Sequence, residues 1–161
     1  MSRQFNVIAN NVTVAGATTL IGIRPSATLA LRILRMWVGF NGTATSAQNR
    51  IEWGRQAAAL ATVVSATPTK IVESDPVSGI VGGTALAAGT CGINASAEGA
   101  GTKTPIGADT FNSLTGWLWV PTPADVIVLA PSSASSFYLW FPAAPSVLTG
   151  WHAGVTFEEI G

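Results

Sequence analysis

The sequence predicts an all-β protein, a single antiparallel β-sandwich of jelly-roll type with about eight strands. Three observations point there. Short apolar runs alternate at period two, proline directly closes several of them, and they recur at regular intervals between turn-forming segments. The 161 residues have the size of one domain, able to bury roughly 70% of the unfolded surface.

Residues 1–14 are read as an extended N-terminal arm or as the first strand, with the apolar run at 5–14. A strand at 18–23 is closed by Arg24-Pro25, because proline donates no backbone hydrogen bond and ends pairing. Residues 29–40 carry the strongest signal. At period two, Leu29, Leu31, Ile33 and Trp37 share one face and Leu34, Met36, Val38 and Phe40 the other. The run is long enough for a helix, but Trp-Val-Gly-Phe before Asn41-Gly42 reads as a strand entering a turn. Strands follow at 49–56 and 61–64, with a short helix within 56–64, which contains Ala57-Ala58-Ala59-Leu60, as the alternative.

Residues 76–112, rich in Gly, Ala, Ser and Thr, are expected to form one long loop; such a loop in a compact domain is usually functional or disordered. Strands resume at 114–120, closed by Pro121, at 126–129, closed by Pro131, and at 137–141, closed by Pro142. In the last strand, 151–159, Trp151, Ala153, Val155 and Phe157 alternate with His152, Gly154, Thr156 and Glu158, so that its second face can meet water. Trp37, Trp117 or Trp119, Trp151 and Phe157 are expected near the core.

Composition narrows the function classes. Only 10% of residues are charged and the net charge is zero, against about 25% charged in ordinary soluble domains. A disordered chain, a charge-coated monomer and a bulk electrostatic grip on nucleic acid or anionic lipid are all disfavoured. Ala, Gly, Ser and Thr make up nearly half of the chain, which suits either subunit packing at low entropic cost or plain loops. No secretory leader and no membrane span is expected, and the three Asn-x-Ser/Thr sequons then carry no weight.

Candidate chemistry is sparse. Cys91 is the single cysteine, has no basic neighbour in sequence, and reads as an inert thiol. His152 is the single histidine and reads as a lone surface residue, without the partners a metal site needs. No Gly-x-Ser-x-Gly surrounds any serine. Glu158 and Glu159 point to opposite strand faces and read as solvated end charges. Residues 99–104 (Gly-Ala-Gly-Thr-Lys-Thr) imitate the tail of a phosphate loop but lack its glycine before the lysine, and read as a flexible loop. Pro142-Ala143-Ala144-Pro145 fits a loop after a strand. No enzyme activity, cofactor or metal is expected.

Surfaces are more informative. Phe137, Tyr138, Trp140 and Phe141 make a strand that is aromatic on both faces, and Trp117 and Trp119 share one face of theirs opposite Leu118 and Val120. A sandwich sheet has one core face, so something must cover the other. These six aromatics are the candidate interface of a homo-oligomer. Arginines dominate residues 1–55 and acids dominate 56–161, which means either neutralisation by pairing within one subunit or head-to-tail complementarity between subunits. Arg32 and Arg35 are read on opposite strand faces, which speaks against a nucleic-acid site.

Residues 32–38 (Arg-Ile-Leu-Arg-Met-Trp-Val), 89–99, 116–123 (Gly-Trp-Leu-Trp-Val-Pro-Thr-Pro) and 141–145 together resemble small structural proteins of tailed bacteriophages, specifically capsid decoration (cement) and related head-associated proteins. The resemblance implies a β-rich, non-enzymatic protein, often trimeric, that binds the major capsid protein on the outside of the virion. It carries over no functional residue, since such proteins are defined by their surfaces. A receptor-binding head or tail fibre module and a jelly-roll major coat subunit are the alternatives.

Overall fold

The computed structural model describes residues 3–42, 46–131 and 134–161. Within them the chain is all-β. The strands are β1 (Arg3–Thr13), β2 (Thr18–Ile23), β3 (Ala30–Phe40), β4 (Gln48–Ala57) and β5 (Thr62–Ser65). They continue as β6 (Thr69–Lys70), β7 (Val81–Gly82), β8 (Thr90–Ala97) and β9 (Thr102–Asn112). The last are β10 (Trp117–Trp119), β11 (Ile127–Leu129), β12 (Ser135–Phe141) and β13 (Thr149–Ile160).

Two antiparallel sheets face each other. The first runs β10-β3-β13-β1-β6, with β11 also paired to β3; the second runs β5-β8-β2-β12-β4-β9, with β7 joined to β8 in parallel. Between them lies one core. Trp151, Ala153, Val155 and Phe157 of β13 and Phe5, Val7 and Ala9 of β1 meet Ile21 and Ile23 of β2 and Phe137, Leu139 and Phe141 of β12. Trp151 is the hub, with ring centroids 4.9 Å from Phe40, 5.0 Å from Phe141 and 6.0 Å from Phe111. Its indole N–H donates to the Val147 carbonyl at 2.8 Å, so the one polar atom of the ring is satisfied. The arm is a strand: residues 3–13 pair with β13, while Met1 and Ser2 lie outside the described residues.

A β-bulge explains why residues 29–40 resist a single period-two reading. Ile33 pairs with Phe157 and Arg35 with Thr156, leaving Leu34 as an extra residue. Alternation therefore flips there, and the buried positions run Leu31, Ile33, then Met36, Val38. Trp37 leaves the core face and lies over Gly154, its cross-strand partner. Arg32 and Arg35, expected on opposite faces, share the outer one, opposite Glu158 and Thr156.

Residues 76–112 are not one loop. They hold β7, β8 and β9, and β9 pairs with β4 along most of its length. Neither long strand looks like one in sequence. β9 is an edge strand exposed at most positions, so it needs few bulky apolar residues. β8 is built from small residues because its neighbours press close: a Cβ on Gly92 would lie 2.3 Å from the Val63 side chain.

Ala57-Ala58-Ala59-Leu60 is a tight turn rather than a helix, with Ala58 and Ala59 at φ 49° and 36°. The β8–β9 connection packs on this turn, and Gly101 N–H donates to the Ala59 carbonyl at 3.1 Å. A Cβ at Gly101 would lie 1.7 Å from the Ala58 carbonyl oxygen. The Gly-Ala-Gly run thus serves close backbone approach. Gly101→Ala is expected to cost about 2 kcal/mol in urea denaturation; an unchanged midpoint would refute this packing.

Candidate functional site

The six interface aromatics do not form one surface. Phe137, Phe141 and Trp117 are buried in the core. Tyr138 and Trp140 point outward from β12, yet Tyr138 is buried and Trp140 half-buried. The cover comes from the chain itself. Tyr138 lies over its partner Gly54, where a Cβ would come within 2.7 Å of the phenol oxygen. Lys103 Nζ stands 4.9 Å from the Trp140 centroid and 5.7 Å from that of Tyr138, cation–π contacts worth roughly 1 kcal/mol each at such sites. Glu98 fixes the lysine at 2.8 Å and accepts from the backbone N–H and hydroxyl of Thr19, each at 2.6 Å. The predicted loop lysine is thus a clasp across β2, β9 and β12.

Burial pushes the Tyr138 phenol up to about 12, and the nearby Glu52 carboxylate pushes the same way. Tyr138 is the single tyrosine of the chain. Alkaline titration of its phenolate absorbance is expected to show a midpoint near 12 in the folded protein and near the ordinary 10 after denaturation. The folded form holds the proton more tightly, so its contribution to stability is whole below pH 10 and drains away as pH climbs toward 12. A native midpoint at 10 would contradict the buried placement.

The open surface lies elsewhere, between the edge strand β9 of one sheet and strands β10 and β11 of the other, both paired to β3. On the far side, residues 66–68 cross from β5 to β6 and bridge the two sheets. On this side a groove of about 430 Å³ is lined by Trp53, Arg55, Ile106, Trp119, Ile127 and Val128, among others. Trp119 is the candidate aromatic that lines this groove. Its floor is an aromatic stack, Trp53 lying 5.1 Å from Trp117 and 6.0 Å from Trp119. A second hollow of about 620 Å³ adjoins it, sharing Val126 and Val128 and reaching Arg32, Leu34, Pro121 and Pro123. Exposed apolar side chains line them, Ile106 at 46% in the first and Val128 at 44% in both.

Sequence reading missed Trp53, Ile106, Val128 and Arg55. Trp53 offered a usable signal, an aromatic ring opposite a glycine across a strand pair, here Gly107. Ile106 had none, because it is the bulged residue between Pro105 and Gly107. That bulge and Pro105 interrupt the free edge of β9, and Pro121 and Pro123 follow β10. Strand addition is thereby discouraged. The groove offers side chains for packing.

The remaining candidates have structural partners. Glu159 is not solvated but 1% exposed. Its Oε1 accepts from Ser78 Oγ at 2.5 Å, Gly79 N–H at 2.8 Å and Ile80 N–H at 3.3 Å, and Oε2 pairs with Arg3 at 2.9 Å. Glu158 is buried beside Arg32 at 2.9 Å. Both pairs join an N-terminal arginine to a C-terminal acid, so part of the charge asymmetry is neutralised within one subunit. The outer face of β13 is accordingly covered rather than wet: Gly154, Thr156 and Glu158 are buried and His152 half-buried. His152 Nδ1 sits 3.3 Å from Asn10 Oδ1 and 3.4 Å from the Asn11 N–H, at the β1 bulge. Cys91 Sγ donates to the Ala66 carbonyl at 2.9 Å, and burial pushes its thiol up to about 12. Among the described residues, no three His, Cys, Asp or Glu side chains gather as a metal site, and no helix is long and apolar enough to cross a membrane.

Comparison with known proteins returns no match: no family model, no curated protein and no solved structure matches this chain.

Proposed function

We propose that this chain is a structural subunit of a virion, a decoration protein that seats on the outside of a viral capsid and clamps neighbouring coat subunits. The observation that carries the reading is the apolar groove at the β9/β10–β11 edge. A chain with so few charges that leaves such a surface open has the character of an assembly subunit.

Strand order adds support. The path β1–β13–β3–β10 facing β2–β12–β4–β9 is the pairing expected of a jelly roll, in which two Greek keys wrap around one core. The β5–β8 pair then extends the second sheet beside β2. Jelly rolls recur in viral capsid domains, and a fold by itself assigns no site. The subunit works as a homo-oligomer, a trimer by the resemblance, and multivalent seating makes weak neutral contacts durable. No enzymatic step, cofactor, nucleic acid or membrane enters this role.

The test is loss and restoration. Capsids assembled without the protein are expected to open at lower temperature, and added purified protein is expected to restore their stability. Capsids equally stable with and without it would overturn the proposal. Shells formed by this chain alone would replace it with a coat subunit, and binding confined to fibres would replace it with a fibre module.

A further inference from the structure

The edge of the first sheet opposite the groove carries a second apolar surface. Residues 71–77, just after β6, expose Ile71, Val72 and Val77, the last at 76%. This loop is held rather than loose. Ile71 N–H donates to the Gln4 carbonyl at 3.1 Å and Asp75 N–H to the Val72 carbonyl at 3.1 Å. Immediately beyond, Ser78, Gly79 and Ile80 are fastened to the buried Glu159 carboxylate. Valines displayed on a fastened loop lose little further freedom on docking.

We infer that the 71–77 loop of one copy seats in the β9/β10–β11 groove of the next copy, joining subunits head to tail. It rests on the proposed reading only in that the subunit self-assembles. Charge complementarity selects the occupant. The loop carries two carboxylates, Glu73 and Asp75, against the one ammonium of Lys70, which precedes it and donates to the Glu73 carbonyl at 3.5 Å. The two adjoining hollows carry two guanidiniums, Arg55 and Arg32, against the single carboxylate of Asp125. Asp125 is engaged in its own turn by the Thr122 hydroxyl at 2.5 Å, and Arg32 is shared with Glu158. Arg55 donates to the Val128 carbonyl at 3.0 Å, which leaves its charge open to an incoming acid. An acidic apolar knob therefore meets an apolar groove in which the Arg55 guanidinium is the charge left open.

Placement decides the symmetry. The knob follows β6, at one edge of the first sheet, and the groove borders β10 and β11 at the other, with β1, β13 and β3 between them. One copy thus offers different surfaces to its two neighbours, the heterologous contact that closes into a ring when the rotation permits.

Native mass spectrometry of the full chain and of surface variants tests this. The wild type is expected as a closed assembly larger than the 16.5 kDa subunit. Val77→Asp spoils the knob and Val128→Asp spoils the groove, so each alone is expected as a monomer with a wild-type circular dichroism spectrum. Mixed together, they keep one sound knob and one sound groove, and a heterodimer is expected. Arg55→Glu should weaken assembly about tenfold or more, and adding Asp75→Arg should recover it. A monomeric wild type, an assembly indifferent to Val77→Asp, or a mixture without heterodimer would each overturn the inference. Capsid binding is measured separately: assembly without capsid binding would defeat the decoration reading and leave this contact standing.

Discussion

Trp151→Ala is expected to lower folding stability by about 4 kcal/mol, within the range of large aromatic truncations in a packed core. Three rings lean on this indole from β3, β9 and β12, so both sheets lose contacts at once and no single side chain can refill the space. The Val147 carbonyl also loses its donor. Urea denaturation should show a much lower midpoint with an unchanged slope. A loss below about 1.5 kcal/mol would mean that the sandwich core is not centred on this ring.

Glu159→Ala is expected to cost about 3 kcal/mol, because three donors and a guanidinium lose one acceptor inside the fold. The neighbouring Glu158→Ala should cost about 1 kcal/mol, since its partner Arg32 is substantially exposed and turns to water. Hydrogen exchange separates the two. Loss of Glu159 should release the amides of Gly79 and Ile80 well before global unfolding, whereas loss of Glu158 should leave them protected. Equal costs, or protected amides in Glu159→Ala, would contradict the carboxylate's role as the anchor of this loop.

Much of the β framework is legible in the sequence, and each failure has a physical cause. β2 is read to the residue because Pro25 closes it and an apolar run fills it. β13 is legible on its core face, where Trp151, Ala153, Val155 and Phe157 keep strict alternation. β8 and β9 are invisible, one because tight packing selects small residues, the other because an exposed edge does not select apolar ones. The bulge at Leu34 hides the true faces of β3, since period-two reasoning assumes unbroken register.

The site was harder to read than the fold. An aromatic on the outer face of a strand suggests a missing partner, yet Tyr138 is covered by Lys103 and its own sheet. Glycines opposite aromatics give the clue: Gly154 under Trp37, Gly107 under Trp53 and Gly54 under Tyr138 each leave room for a ring to lie flat on the strand. Such pairs are long-range and depend on register, which the sequence alone does not display. The groove is likewise assembled from β4, β9, β10 and β11, with Trp53 and Trp119 far apart in the chain.

A cryo-electron microscopy reconstruction of the particles that carry this chain tests the proposed role on the outside of a viral shell. Many copies are expected on the outer capsid surface, grouped in closed rings, with Trp119, Ile106 and Val128 of each copy buried under a neighbour. Copies confined to the tail, or copies on the shell with that groove open to solvent, would contradict it.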